Sequence, residues 1–299
     1  MQGRVVIVGS VNQDLNLAVA RLPSPGETVG EAAMSTSLGG KGANVAVTVA
    51  RLGGAARLVA RVGDDQAGAD ARARLAAEGV ELDDVLGSSA PTGLAVVVSD
   101  AQGENAIVVA PGANGELSAP DVLAAVERLD DAPTAVLSNL EVPMAAVQAA
   151  AHAAGRRGWP FVLDPAPARA LPAELVDACT VLIPNRHELA LLHPGGAGAL
   201  LELGAGAVVT TLGSEGAELR TAGGRRRFDA YPVAVRDTVG AGDAFAGGLA
   251  VRLAEGASLE DALDLARAAG ALATRSLGAQ ASLAGREEAM ALIARARQA

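Results

Sequence analysis

Aromatic residues make up only 2% of this 299-residue chain: one Trp, one Tyr and three Phe. Half the residues are apolar, so the core must be filled by Ala, Val and Leu. Cysteine is scarcer still. The single Cys179 excludes an internal disulfide and fits a reducing compartment. Three histidines (His152, His187 and His193) and that one cysteine make no metal-ligand pattern. There is no G-x-S-x-G, so Ser-His-Asp chemistry lacks a signature. No apolar run reaches the ~18 residues of a membrane span. Met1–Gly9 has no basic segment followed by an apolar one, so we expect no signal peptide and a cytoplasmic location. A net charge of −10 argues against nucleic acid or anionic membranes as partners. Lysine is the last scarcity: against 23 arginines stands one lysine, Lys41, inside Gly39-Gly40-Lys41-Gly42. Chance retention is one reading; a role that needs an ammonium and not a guanidinium is the other.

What is present is an alternation of strands and helices over a length that suits one large domain, or one domain with an appendage. Arg4–Gly9 reads as a buried parallel strand. Ser10-Val11-Asn12-Gln13-Asp14 follows it, where open α/β sheets bind ligands; Asn12 and Asp14 suit a polyhydroxy ligand or an ordinary turn. Gly40–Leu52 reads as a helix stopped by Gly53-Gly54. Its opening resembles a P-loop only superficially, because the G-x-x-x-x-G-K-[ST] spacing fails. Its glycines permit close backbone approach to a ligand. Further strands are expected at Leu58–Val62, Ala135–Ser138, Phe161–Asp164, Val181–Pro184 and Ala207–Leu212. Helices are expected at Ala67–Glu78, Ala119–Leu129, Val142–Arg156, Pro172–Ala178, Leu259–Arg275 and Arg286–Ala296. This alternation predicts a mostly parallel sheet covered by helices on both faces. Leu15–Ser37 and Thr92–Val109 break the pattern and predict a small projecting β-sheet. Its exposed edges call for cover, most simply by a second copy of the chain.

Polar residues collect at the strand ends: Asn139 and Glu141, Asp164, Asn185 to Glu188, and Thr211-Leu212-Gly213-Ser214-Glu215-Gly216. Asn185 and Glu188 also fit a helix capping box. Asp237-Thr238-Val239-Gly240-Ala241-Gly242-Asp243-Ala244-Phe245 is the most informative stretch. Phe245, Leu249 and Leu253 form the apolar stripe of a helix opening near Ala241, with Gly256 as its stop. Such an N-terminus offers free N–H groups to an anion, and Gly240 and Gly242 leave the approach open. Asp243 in the first turn complements the helix dipole or serves as a base beside a transferring phosphoryl group.

These pieces, with Pro25-Gly26-Glu27-Thr28, Gly39-Gly40-Lys41-Gly42-Ala43-Asn44, Gly63-Asp64-Asp65, Gly112-Ala113-Asn114, Asp164-Pro165-Ala166-Pro167-Ala168 and Gly278-Ala279-Gln280, run in order along nearly the whole chain. Together they resemble the ribokinase-like (pfkB-type) carbohydrate kinases. The resemblance implies ATP-dependent phosphorylation of a sugar's primary hydroxyl, for the ribose-specific members the 5-hydroxyl of D-ribose. It implies Asp243 as base, with an anion hole from the N–H groups of Gly240, Ala241 and Gly242. It places the sugar on Asn12, Asp14, Gly39, Gly40, Lys41, Asn44, Glu141 and Asp243. It places the nucleotide on Asn185, Glu188, Thr211, Leu212, Gly213, Ser214, Gly216 and Gly242, with Mg²⁺ and phosphates organised through water by Asn185 and Glu188. An activating monovalent cation, usually K⁺, would sit on Asp237, Val239, Ala273, Ser276, Gly278 and Ser282. The projecting sheet (15–37 and 92–109) would be a lid and homodimer contact on an α/β kinase domain of 1–14, 38–91 and 110–299.

Four features depart from the family pattern. Val45 replaces a frequent Gln, Asp164 a frequent Asn, and Arg267 a small or amide residue of the adenine site. The stretch 193–206 is about ten residues short, a difference read from the resemblance alone. None touches the implied base. The sugar identity is therefore less determined than the reaction. The alternatives are a kinase for another small sugar, a deoxyribose or a nucleoside, and a non-catalytic sugar sensor. Scarce aromatics argue against the nucleoside, and an intact Asp243 turn against the sensor.

Overall fold

The computed structural model describes residues 3–102, 104–130, 132, 134–281 and 283–298. The chain starts in the middle of its main sheet. β1 (Arg4–Val8) is buried along its length, and β2 (Asn12–Ala18) and β3 (Ala33–Gly39) then leave to build a second sheet. The chain returns through α1 (Lys41–Arg51), β4 (Ala55–Gly63), α2 (Gln66–Ala77) and β5 (Glu81–Ser88). β6 (Gly93–Ser99) and β7 (Asn105–Ala110) complete the second sheet. The alternation then resumes with α3 (Ala119–Glu127), β8 (Thr134–Asn139), α4 (Met144–Arg157), β9 (Phe161–Asp164), α5 (Ala173–Ala178) and β10 (Val181–Leu182). After α6 (Arg186–Leu192), α7 (Gly196–Glu202) and β11 (Val208–Thr211) comes a hairpin, β12 (Ala217–Thr221) and β13 (Gly224–Phe228). Three helices close the chain: α8 (Ala241–Ala254), α9 (Leu259–Leu272) and α10 (Arg286–Ala296).

The main sheet has the order β13-β12-β11-β10-β9-β8-β1-β4-β5, parallel except for the β11-β12-β13 edge. Side chains alternate between its faces. Val5 and Ile7 join a core built with α1, α2, α8, α9 and α10, while Val6 and Val8 join one built with α3, α4, α5 and α7. Helices therefore cover both faces, as the alternation predicted. With so few rings, alanine does much of the packing: Ala146, Ala150 and Ala154 of α4 are all fully buried. No described helix is long and apolar enough to cross a membrane.

Strand order reverses at β1, since β4 and β5 lie to one side and β8 to β11 to the other. Open α/β sheets bind ligands at such a switch point, outside the C-terminal strand ends. Ser10, Asn139, Asp164, Asn185 and Thr211 all follow or end strands on this edge.

The second sheet, β3-β2-β6-β7, is rooted at the same edge. Asn12, which opens β2, pairs with Gly39 at the end of β3 and with Gly93 at the start of β6. Its outer part is bare: Met34 is 70% exposed and Val108 69%.

Several element limits differ from the sequence reading. Asn12 and Asp14 lie in a strand and not in a turn. β10 stops at Leu182, because Pro184 has no N–H for a ladder and Asn185 already caps α6. α9 ends at Leu272, short of Arg275; the Thr274 carbonyl accepts the N–H groups of Arg236 and Asp237 from another loop. β5, β12, β13 and α7 were not foreseen.

Candidate active site

Two helix N-termini converge on the switch point. α1 begins at Lys41 after Gly40, whose φ of 89° is one that a side chain would strain. Gly42 lets α1 lie against the end of β1: a Cβ there would come within 2.6 Å of Ser10 N. α8 begins at Ala241 after Gly240 (φ 81°), and a Cβ on Gly240 would press on Ala279 at 2.9 Å.

Between these termini lies a carboxylate cluster around one ammonium. Lys41 Nζ donates to Asp164 Oδ2 and to Asp243 Oδ1, each at 2.8 Å. Asn44, in the first turn of α1, donates from Nδ2 to the other oxygen of Asp243 at 2.8 Å. Asp243 itself is only 5% exposed. Asn44 is held in turn by Gln280, whose Nε2 donates to Asn44 Oδ1 at 3.0 Å. That bond fixes the amide with its NH₂ towards Asp243. Glu141 accepts the Lys41 backbone N–H at 3.1 Å and the Ser10 hydroxyl, so a negative charge caps the positive end of α1.

The electrostatics follow from this crowding. Burial, reinforced by the charges of Glu141 and Asp243, pushes the Asp14 carboxyl up to about 6. Burial also pushes Asp164 up to about 6; Lys41 opposes the rise, while Asp243 and Glu188 add to it. For Lys41, burial alone would favour the neutral amine. Asp164 and Asp243 outweigh it and hold the ammonium well above the usual lysine range.

On the lid side, Asn12 Oδ1 accepts from Asn114 Nδ2 at 2.7 Å. Asn114 is itself locked to the Val11 backbone, accepting its N–H at 2.8 Å and donating to its carbonyl at 3.1 Å. The Asn12 NH₂ takes no part in the contact with Asn114. Asp14 lies directly over Gly39, where a Cβ would sit 2.1 Å from the carboxylate. The structure thus gathers Asn12, Asp14, Gly39, Gly40, Lys41, Asn44, Glu141 and Asp243 at the root of the second sheet. Sequence reasoning gave no site role to Asn114, Ser10, Asp164 or Gln280. All four lay within quoted motifs, but only their spatial partners reveal what they do.

On the other side of Asp243 a cleft of about 570 Å³ opens, lined by Thr211, Gly213, Ser214, Gly216 and Gly242 among others. Leu212, Asn185 and Glu188 lie outside this lining. Tyr231, Val233 and Phe245 supply an apolar wall. Arg267 is in the wall but is not a free charge. Its guanidinium is bound to Asp264 and the Asp229 carbonyl, and it lies over the rings of Tyr231 (4.7 Å) and Phe228 (5.3 Å). At the cleft mouth, Ala241 N turns back to Thr238 O at 3.2 Å. The next N–H, of Gly242, has no acceptor inside the helix, and a Cβ on Gly242 would meet open space. Asn185 and Glu188 do form the capping box: Glu188 N donates to Asn185 Oδ1 at 2.8 Å and Asn185 N to Glu188 Oε2 at 2.7 Å.

The expected cation ligands come from two loops that meet. Asp237 accepts the N–H of Val239 at 3.0 Å and of Gly278 at 2.8 Å. Ala273 and Ser276 lie on the second loop, and Ser282 falls outside the described residues. No group of three or more acidic, His or Cys side chains that could hold a metal occurs among the described residues.

The profile described as "pfkB family carbohydrate kinase" matches residues 2–285. A ribokinase of Bacillus subtilis is 36% identical over 291 residues, covering 97% of this chain and 99% of that relative. The structure of a Thermotoga maritima ribokinase superposes with a TM-score of 0.88 at 32% identity, covering 98% of this chain and 99% of that one. An Arabidopsis thaliana ribokinase, complexed with ribose and ATP, superposes with a TM-score of 0.87 at 33% identity, with coverage of 98% and 99%. Fold, site geometry and kinship agree, and the chain belongs to the pfkB family of carbohydrate kinases.

Proposed function

We propose that the chain transfers the γ-phosphoryl group of ATP to the 5-hydroxyl of D-ribose, giving D-ribose 5-phosphate. One observation carries the reading. Gly242 lines the nucleotide-sized cleft, while the next residue, Asp243, is bonded to Lys41 and Asn44 on the sugar side. The two sites share consecutive residues, so a bound hydroxyl and a bound phosphate would meet there. Asp243 takes the hydroxyl proton, and the N–H groups of Gly240 and Gly242, joined by that of Ala241 when it leaves the Thr238 carbonyl, receive the charge of the transferring group. Asp14, Glu141 and Asp243 accept sugar hydroxyls; Asn12, Lys41 and Asn44 donate to or orient them.

The charge balance supports a neutral sugar. Asp14, Glu141, Asp164 and Asp243 gather around one ammonium, which suits hydroxyl donors and repels a substrate already carrying phosphate. The aromatics argue against a nucleoside. Trp159 and Phe161 pack in the core on one sheet face, and Tyr231, Phe228 and Phe245 lie on the nucleotide side. A kinase for another small sugar is the second reading, because Val45 and Asp164 leave the sugar contacts less determined than the reaction.

The oxygen donors of Asn185 and Glu188 suit Mg²⁺ held through water. Glu188 uses Oε2 in the capping box, leaving Oε1 for that task. When bound, the ion supplies neutralising charge at the phosphates. Asp237, held between two loops, suits a monovalent cation with backbone carbonyls as co-ligands. Turnover should rise when Na⁺ is exchanged for K⁺, and indifference would remove this site from the account. The second sheet acts as a lid over the sugar, and its bare apolar strands pair with a second copy in a homodimer. A cytoplasmic location fits the single buried thiol.

The test of the substrate is a panel of pentoses, hexoses and nucleosides assayed with MgATP. D-ribose should show the highest kcat/KM. A clear preference for another sugar selects the second reading, and no turnover with any substrate sinks the kinase.

A further inference from the structure

Asp164 ends β9 beneath the two helix N-termini, and it is buried. An ammonium has three N–H bonds. Lys41 gives one to Asp164 and one to Asp243 at the same distance, 2.8 Å, which leaves one for a ligand. A lysine paired with Asp243 alone would stabilise its carboxylate form and weaken it as a base. A second carboxylate bonded to the same ammonium at equal distance places a negative charge that opposes the lysine's field there.

We propose that Asp164 is a positioning residue for phosphoryl transfer, one that sets its own negative charge against that of Lys41 beside Asp243 and holds the third Lys41 N–H towards the sugar. This rests on the reading of Asp243 as base. Asp164 does not touch the reacting atoms; it acts through Lys41. The charged groups that face it are Lys41 from α1, Asp243 from α8 and Glu188 from α6. Glu141 accepts the Lys41 backbone N–H, and Asp14 feels the charges of Glu141 and Asp243. With its carboxyl pushed up to about 6 by burial, Asp164 is ionised at neutral pH and loses its charge as the solution is made mildly acidic. Its counter-charge beside Lys41 is then lost, so Asp164 adds its own inflection to the acid limb of kcat.

The experiment measures kcat against pH at saturating sugar and MgATP, with sugar KM in parallel, for the native chain, Asp164→Asn, Asp164→Glu, Asp164→Ala and Asp243→Asn. Saturating sugar keeps the titration of Asp14 out of the readout. Asp164→Asn keeps an acceptor for Lys41 and loses the charge. Its kcat at neutral pH should fall about three- to tenfold, and its acid limb should lose the inflection, with sugar KM near native. Asp164→Glu should restore part of the native profile. Asp164→Ala also loses the acceptor, and its sugar KM should rise. Thermal unfolding checks that each variant folds, and the kcat profile of Asp164→Ala carries the test if Asp164→Asn does not fold. A native kcat and a native acid limb in the folded variants, with Asp243→Asn inactive, overturn the proposal alone. An active Asp243→Asn overturns the reading of the base beneath it.

Discussion

Lys41 and Asp243 stand 2.8 Å apart although 202 residues separate them in the chain. Each lies in the first turn of its own helix, and the two helices meet over the switch point of the sheet. In the proposed reaction the pair joins the sugar side of the site to the phosphate side. It gives the lone lysine of a chain with 23 arginines a contact that suits an ammonium. An ammonium can be shared between two carboxylates as a compact point charge, whereas a guanidinium is planar and larger.

Lys41→Arg is therefore not a conservative change. Asp164, Asp243 and the end of α1 enclose the side chain, which is 23% exposed. A planar fork there must displace one of its carboxylate partners. We expect kcat/KM for the sugar to fall at least about tenfold, shared between KM and kcat. Steady-state kinetics on the purified variant decide it. An unimpaired arginine variant would mean that the lysine survives by chance.

Sugar affinity should depend on pH through Asp14. Its carboxyl is pushed up to about 6 by burial and by the charges of Glu141 and Asp243. The sign follows from hydrogen bonding. Above that value the carboxylate accepts sugar hydroxyls; below it the acid has lost an acceptor site. Affinity should hold at neutral pH and decline by up to about tenfold per unit as the pH drops through the transition. Calorimetric titration of the sugar in the absence of nucleotide reads this directly. Asp14→Asn should bind weakly with a flattened profile. An unchanged pH dependence in that variant would remove Asp14 from the contact.

Arg267 governs the shape of the nucleotide cleft more than its charge. Its guanidinium holds the Asp229 carbonyl and Asp264 and covers two rings, so it fastens the 228–231 segment to α9. Arg267→Ala should raise the KM for ATP severalfold, through about 1–2 kcal/mol of lost ring and hydrogen-bond contacts. The sugar KM should stay near native. A sugar KM that rises as far as that of ATP would contradict this division of labour.

The sequence made some of this legible and hid the rest for physical reasons. α8 and its first turn could be read because Phe245, Leu249 and Leu253 mark one face and Gly240 and Gly242 mark the opening. α10 was readable to the residue. β5 was not, because Glu81, Asp83 and Asp84 look like turn chemistry. Asp84 is in fact buried at 2% exposure, with its charge met by Arg57 and Arg128. β12 and β13 hide similarly. Arg225, Arg226 and Arg227 read as a solvated charge run, yet they lie on an edge strand and pair with Glu218, Glu260 and Glu215. Candidate site residues were visible where a motif carried them. The supports behind them were not: nothing in the order of residues says that Gln280 orients Asn44, that Asn114 orients Asn12, or that Asp164 shares Lys41.

The central claim is that Asp243 takes the proton from the sugar hydroxyl while its neighbours bind the sugar. The measurement that tests it most directly is Asp243→Ala, assayed for turnover with MgATP and D-ribose and, on the same preparation, for sugar binding by calorimetry. The account predicts that kcat falls by at least about 10²-fold while the sugar still binds. Near-native turnover in that variant would contradict it.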